Sequence, residues 1–323
     1  MSKILLQVED LHTSFFTRAG EVKAVDGVSF HVREGETFGL VGESACGKTV
    51  TGLSLLRLLP EPAGRIVGGK IILDGTNLLE LSKKEMRKIR GKKISMILQD
   101  PMTSLNPVYT VGDQIAESIR LHQNLHDDNM VEKEVISALR LLKIPAPEQR
   151  LHDYPFQMSG GMRQRVVGAI AMSCRPRLLI ADEPTTALDA TIQAQYIALF
   201  KDIQKNTNVA IIFITHDFGV VANMCHRVAV MYAGKIVETA TTRTIFKASK
   251  HPYTRALIDS VPRLDRKDDR LYSIKGQPPS LLNLPPGCRF SPRCSVAQEV
   301  CHQQEPPEVE IGDGHSVSCW GVK

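Results

Sequence analysis

No stretch of this 323-residue sequence is apolar for long enough to cross a bilayer. Compact uncharged runs such as VAIIFIT (209–215) have the length of a strand, far short of the ~20 residues a membrane helix needs. The opening MSKILLQVED lacks the apolar core of a secretion signal. The chain is therefore expected in the cytoplasm, where structural disulfides are rare. A strong charge of one sign is also missing. Forty Lys and Arg against 35 Asp and Glu leave a net charge of +5. That mild excess does not point to nucleic acid, and none is expected as a partner. The densest basic run, KKEMRKIRGKK (83–93), reads as a solvated helix and turn. There is no internal repeat, no low-complexity tract and no sustained heptad pattern. Seven cysteines remain, and disulfides do not account for them.

The length exceeds one ordinary domain, and a 42% hydrophobic content is ample for a core. The apolar segments TFGLV (37–41), KISMIL (93–98), RLLIAD (177–182) and VAIIFIT (209–215) predict buried parallel strands. Helical patterns such as MVEKEVISALRLLK (130–143) alternate with them, which predicts an α/β layer fold. Near residue 250 the texture changes. GQPPSLLNLPPG (276–287) is a proline-rich loop segment, and the cysteines follow it.

Chemistry begins at GESACGKT, residues 42–49. It fits the phosphate-loop pattern, follows a predicted strand and opens a predicted helix. Gly42, Glu43, Ser44, Ala45, Cys46, Gly47, Lys48, Thr49 and Val50 are the candidate phosphate-binding residues. Loop N–H groups and the helix N-terminus would face the phosphates. Lys48 would reach the β/γ-phosphates, and the Thr49 hydroxyl would coordinate Mg²⁺. Cys46 reads as a small packed residue, with an oxidisable thiol as the other reading. RLLIADEP (177–184) ends in two adjacent carboxylates, which are costly to bury without purpose. Asp182 is the candidate Mg²⁺ ligand through water, and Glu183 the base that polarises the attacking water. MSGGMRQR (158–165) supplies a second anion-binding turn, more than one nucleotide needs from one chain.

With these motifs in order, the sequence resembles the ATP-binding-cassette (ABC) ATPases. Gln99 in ILQDP, Asp189 in TALDA (186–190) and His216 after VAIIFIT complete the resemblance. It implies a RecA-like core with an antiparallel β subdomain and a helical subdomain at about 100–175. The ATPase domain would span 1–250, with a small loop-rich, cysteine-containing extension at 251–323. Gln99 would sense Mg²⁺ and the attacking water and link the site to a transmembrane partner. His216 would contact the γ-phosphate. Ser159, Gly160 and Gly161 would face the ATP of the opposite subunit, and Asp189 would communicate across the dimer. Phe15 would stack on adenine, with Phe16 as a competitor. Two departures stand out. Met162 replaces the family's usual glutamine, which weakens that part of the shared site, and Ala45 stands where glycine is common.

HPYTRALIDSVPRL (251–264), the following GQPP, QDPMTSLNP (99–107) and IADEPTTALDATIQAQ (180–195) resemble the ATPase subunits of bacterial oligopeptide, dipeptide and nickel importers. The implied activity is ATP hydrolysis that powers peptide import. The implied partners are a second, different ATPase chain, two transmembrane permeases and an extracytoplasmic peptide-binding protein, with the chain peripheral on the cytoplasmic face of the membrane. A nickel or metal-chelate importer and a non-transport ABC ATPase are the alternatives. Cys288, Cys294, Cys301 and Cys319 are separated by five, six and seventeen residues, which matches neither a zinc ribbon nor a ferredoxin run. Spacing alone gives four thiols in a loop-rich tail. The resemblance adds a 4Fe–4S cluster on them, with zinc or unligated thiols as alternatives. Cys174 and Cys225 read as core packing.

Overall fold

The computed structural model describes residues 3–99, 104–185, 189–261, 273–312 and 314–322. Parts of QDPMTSLNP, TALDA and HPYTRALIDSVPRL, namely 100–103, 186–188 and 262–264, lie outside them. The strands are β1 (Ile4–Thr17), β2 (Gly20–Arg33), β3 (Thr37–Val41), β4 (Gly64–Leu73), β5 (Thr76–Asn77), β6 (Ile94–Ile97), β7 (Leu178–Asp182), β8 (Ala210–Thr215), β9 (Arg227–Tyr232), β10 (Lys235–Thr241), β11 (Glu308–Glu310) and β12 (Ser316–Ser318). The helices are α1 (Lys48–Leu56), α2 (Lys83–Ile89), α3 (Val111–Gln123), α4 (Asp128–Leu141), α5 (Pro147–Arg150), α6 (Gly160–Met172), α7 (Ala190–Thr207), α8 (Phe218–Met224), α9 (Thr242–Ala248), α10 (Pro252–Asp259) and α11 (Glu299–Gln303). Among the described residues, no helix is long and apolar enough to cross a membrane.

The chain divides into two units. The first comprises Arg33–Glu36 and Glu80–Phe213, the second Ile4–Val32, Thr37–Leu79 and the chain from Ile214 onward. In the first, β6 runs parallel to β7, with Ile94 opposite Leu178 and Ile97 opposite Ala181. Every residue of β7 is buried, so it reads as a continuous apolar run rather than an alternation. Helices α3, α4 and α6 pack on one another, and α6 also packs on β6. On α3 the buried residues Val111, Ile115 and Ile119 recur every fourth position, forming one apolar face. Its start is fixed by Thr110 Oγ1, which accepts from the Asp113 N–H, while Asp113 accepts back from the Thr110 N–H.

The second unit holds an antiparallel sheet in the order β2-β1-β4-β5 and strands in the order β11-β12-β10-β9-β3. β3 is parallel to β9, with Phe38 opposite Arg227, whereas β10 is antiparallel to both β9 and β12. Strands β11 and β12 thus extend the sheet that carries β3, the strand leading into residues 42–49. Glu238 of β10 staples them. This carboxylate is 1% exposed, and it accepts from the Lys250 N–H (2.6 Å), the His251 N–H (3.1 Å) and His315 Nε2 (2.8 Å). A buried carboxylate needs such partners.

His251 is buried beside this staple, and its Nδ1 accepts from the Tyr253 N–H at 3.1 Å. Burial pushes its pKa down from 6.5 to about 3. A depressed histidine favours the fold above the unfolded pKa, because below it the unfolded chain binds a proton that the folded chain refuses. Stability from this group is therefore lost as pH falls from 6.5 toward 3. Denaturant titrations should show the wild type losing ~2 kcal/mol more than His251→Asn between pH 7 and 5. Equal losses in the two proteins would show that His251 titrates as it does when unfolded.

Candidate nucleotide-binding and hydrolytic site

Residues 42–47 form a tight turn between β3 and α1, and Lys48 and Thr49 open the helix. Gly47, the N-cap of α1, has φ 109°, and Ala45 has φ 62°. Ala45 thus occupies the left-handed region where the family prefers glycine, at a cost of roughly 1–2 kcal/mol. A Cβ on Gly42 would lie 2.1 Å from the Met231 carbonyl oxygen, so β9 closes on the loop's backbone. Lys48 is 5% exposed, and its Nζ donates to the Gly42 and Glu43 carbonyls at 2.9 Å each. Thr49 and Ser44 are exposed, Glu43 and Val50 half-buried. Cys46 is buried, and that burial pushes its thiol up although Lys48 opposes the shift. This disfavours a reactive thiolate. Phe15 is half-buried opposite Gly64 on β4, whereas Phe16 is 45% exposed beneath the Arg65 guanidinium.

In the first unit, Asp182 ends β7 at 1% exposure, and Glu183 follows at 9% with a left-handed φ of 45°. Gln99 Nε2 donates to Glu183 Oε2 at 2.9 Å, joining two residues 84 positions apart. Gln164 of α6 donates to the Pro184 carbonyl, which ties that helix to the same strand end. Ser159 caps α6 by accepting from the Met162 N–H, and both Ser159 and Gly160 are exposed. A Cβ on Gly161 would come within 3.3 Å of Ile192 on α7. Asp189 caps α7, accepting from the Thr191 and Ile192 N–H groups at 3.0 Å each. The exposed His216 follows β8 in the second unit.

The ABC transporter family matches residues 25–186, and the oligopeptide/dipeptide transporter C-terminal region matches residues 237–301. The chain is 52% identical over 320 residues to the dipeptide transport ATP-binding protein DppD of Bacillus subtilis, covering 99% of this chain and 95% of that one. It is 50% identical over 317 residues to the oligopeptide transport ATP-binding protein OppD of the same organism, covering 98% and 88%.

The chain belongs to the ABC transporter ATPases.

The cassette fold agrees. An ATP-binding cassette, MJ0796, solved as a dimer in a post-hydrolysis state with ADP and Pi, superposes with a TM-score of 0.66 at 22% identity, over 74% of this chain and 99% of that one. As a member of this family, the chain hydrolyses ATP in connection with transport.

The iron–sulfur expectation is overturned. Cys288, Cys294, Cys301 and Cys319 of this ABC ATPase line one cavity of about 490 Å³, with Phe290 and Trp320 among its walls. Yet no group of three or more His, Cys, Asp or Glu among the described residues is arranged to hold a metal ion, neither a 4Fe–4S cluster nor zinc. Burial pushes Cys288 up to about 11 and raises Cys294 and Cys319 as well. The Cys301 sulfur accepts from the Gln298 N–H at the start of α11. Of the other cysteines, Cys225 is buried, while Cys174 is only half-buried just past α6.

Sequence reasoning missed two residues that touch the loop. Tyr253 Oη accepts from the Glu43 N–H at 2.9 Å, and Arg293 pairs with the Glu43 carboxylate. HPYT was legible as a block, but nothing in its spacing pointed at residue 43.

Proposed function

We propose that this ABC ATPase powers the import of di- or oligopeptides through a membrane transporter. Its identity to DppD and OppD over nearly the whole chain supports this, as does the matched oligopeptide/dipeptide transporter region at 237–301. The chain would act as one of two ATPase subunits, paired with a different chain and peripheral to two permeases on the cytoplasmic face. An extracytoplasmic peptide-binding protein would deliver the solute. The ATPase part would extend to about residue 250, with the transporter-specific extension from 251.

The observation that carries the hydrolytic assignment is the Gln99–Glu183 hydrogen bond at the end of the buried strand β7. Glu183 would take the proton of the attacking water as its oxygen bonds to the γ-phosphorus and ADP leaves. Gln99, held on that carboxylate, would report the water's position to the permease side. Lys48 and the loop N–H groups would hold the β- and γ-phosphates, and His216 would contact the γ-phosphate. Phe15 would stack on adenine. The Thr49 hydroxyl and Asp182 carboxylate are hard oxygen donors that suit Mg²⁺. When bound, that ion neutralises phosphate charge. Ser159, Gly160 and Gly161, at the N-terminus of α6, would receive the ATP held by the partner ATPase, and Asp189 would couple the two subunits.

Uptake into vesicles carrying the assembled transporter tests the solute. A radiolabelled dipeptide should accumulate with ATP, and unlabelled peptides should suppress that signal. Accumulation of nickel without peptide uptake would contradict the peptide reading.

A further inference from the structure

Glu43 is the one carboxylate in GESACGKT, and it is an odd residue to place in a loop that binds anions. Its negative charge opposes what Lys48 and the α1 N-terminus offer a phosphate. In the fold that charge is occupied by the C-terminal extension. Arg293 Nη1 donates to Glu43 Oε2 at 2.6 Å, and Nη2 donates to Oε1 at 2.9 Å, a fork matched to both oxygens. The Arg293 side chain is only 4% exposed, and that of Glu43 is 27% exposed. Solvent therefore screens the pair less than a surface ion pair. Arg293 is held in turn. Nη1 also reaches Tyr232 Oη at 3.3 Å, Nε donates to the Lys275 carbonyl at 3.1 Å, and the guanidinium lies 5.8 Å from the Tyr232 ring centroid.

One further contact from the extension reaches the same loop directly, and a second reaches it through residues 233 and 234. Tyr253, fully buried, satisfies the Glu43 N–H. Arg289 donates to the Ala233 carbonyl at 2.6 Å, and the next residue, Gly234, donates its N–H to the Cys46 carbonyl at 2.9 Å. A cavity of about 640 Å³ is lined by loop residues 43–46 and, from the extension, by the proline-rich residues 277–281.

We infer that the C-terminal extension completes the phosphate site: Arg293 neutralises Glu43, and so sets the affinity of this subunit for nucleotide. Arg293 is a positioning residue, acting on phosphate through Glu43. Loss or displacement of the extension would leave Glu43 bare and lower nucleotide affinity, which gives the extension a hold on the ATPase cycle. The inference rests on residues 42–49 being the phosphate loop.

The test is a charge cycle in the full-length chain, read by calorimetric titration with MgADP and by ATPase assay of the assembled transporter. Arg293→Gln should weaken MgADP binding about tenfold (~1.4 kcal/mol), while kcat at saturating ATP stays within about twofold. Adding Glu43→Gln to Arg293→Gln should restore affinity to within about twofold of wild type. Salt should narrow the gap between Arg293→Gln and wild type. Wild-type affinity in a folded Arg293→Gln protein would overturn the inference, as would a double variant that binds no better than Arg293→Gln. If Arg293→Gln fails to fold, the double variant still decides. A double variant that folds and binds supports charge neutralisation, whereas one that also fails to fold assigns Arg293 to holding the extension and overturns it. Lys48→Ala separates this from the underlying reading. Unchanged affinity in that variant would remove the phosphate loop itself, while lost affinity there with none lost in Arg293→Gln would remove only the role of Arg293.

Discussion

Glu183→Gln is expected to lower steady-state ATP hydrolysis by ~10²–10⁴-fold while ATP binding stays within about twofold. The substitution is nearly isosteric, so the 9% exposed site keeps its packing. The new side-chain oxygen can still accept from Gln99 Nε2, which now bonds to Glu183 Oε2 at 2.9 Å. What disappears is the group that can take a proton from water. The left-handed φ of 45° at this non-glycine residue is a further sign that β7 and Pro184 hold the carboxylate in one place. Hydrolysis assays paired with equilibrium ATP binding separate the two effects. Undiminished turnover would take Glu183 out of the mechanism, and a parallel loss of binding would make its role structural.

The second large effect is expected at Gly47. Gly47→Ala would put a methyl group 2.3 Å from the Ala24 carbonyl oxygen and 2.6 Å from Met231 Cε. The methionine end can move, but the Ala24 backbone belongs to β2 and cannot yield cheaply. The φ of 109° adds strain of ~1–3 kcal/mol for any side chain. Relief requires the loop to leave β2 and β9, which disperses the N–H groups proposed to hold phosphate and displaces Lys48 with the first turn of α1. MgADP affinity should fall at least ~100-fold, with a stability loss of ~3 kcal/mol or more. Calorimetric binding and denaturant unfolding measure both. A folded variant that binds as wild type would show that the loop's shape does not hold the nucleotide.

The legible parts of this protein are those whose signal is local. β3, β6, β7 and β8 are buried on both faces, so they stand out as short apolar runs, and the structure places each within about a residue of the sequence reading. Residues 42–49 were legible because strand, glycine turn and helix follow one another without interruption. Joining Gln99 to Glu183 took the family resemblance, since no pattern links positions 84 apart. The Arg293–Glu43 pair spans 250 residues and two different textures of sequence. Each partner alone reads as an ordinary surface charge. Ala45 misled in the opposite direction: an apparent departure from the glycine pattern still adopts φ 62°. The tail cysteines show what spacing leaves out. Intervals of five, six and seventeen residues count the thiols, but they do not say that burial keeps three of them above their ordinary pKa, nor that Cys301 takes a hydrogen bond at the start of its own helix.

ATP hydrolysis by this chain is proposed to drive peptide import. That proposal is tested most directly by measuring peptide accumulated and ATP hydrolysed in the same vesicles, with the assembled transporter carrying either the wild-type chain or Glu183→Gln. Both quantities should rise together in the wild type and fall together in the variant. Peptide accumulation that continues at the wild-type rate when hydrolysis by this chain is abolished would contradict it.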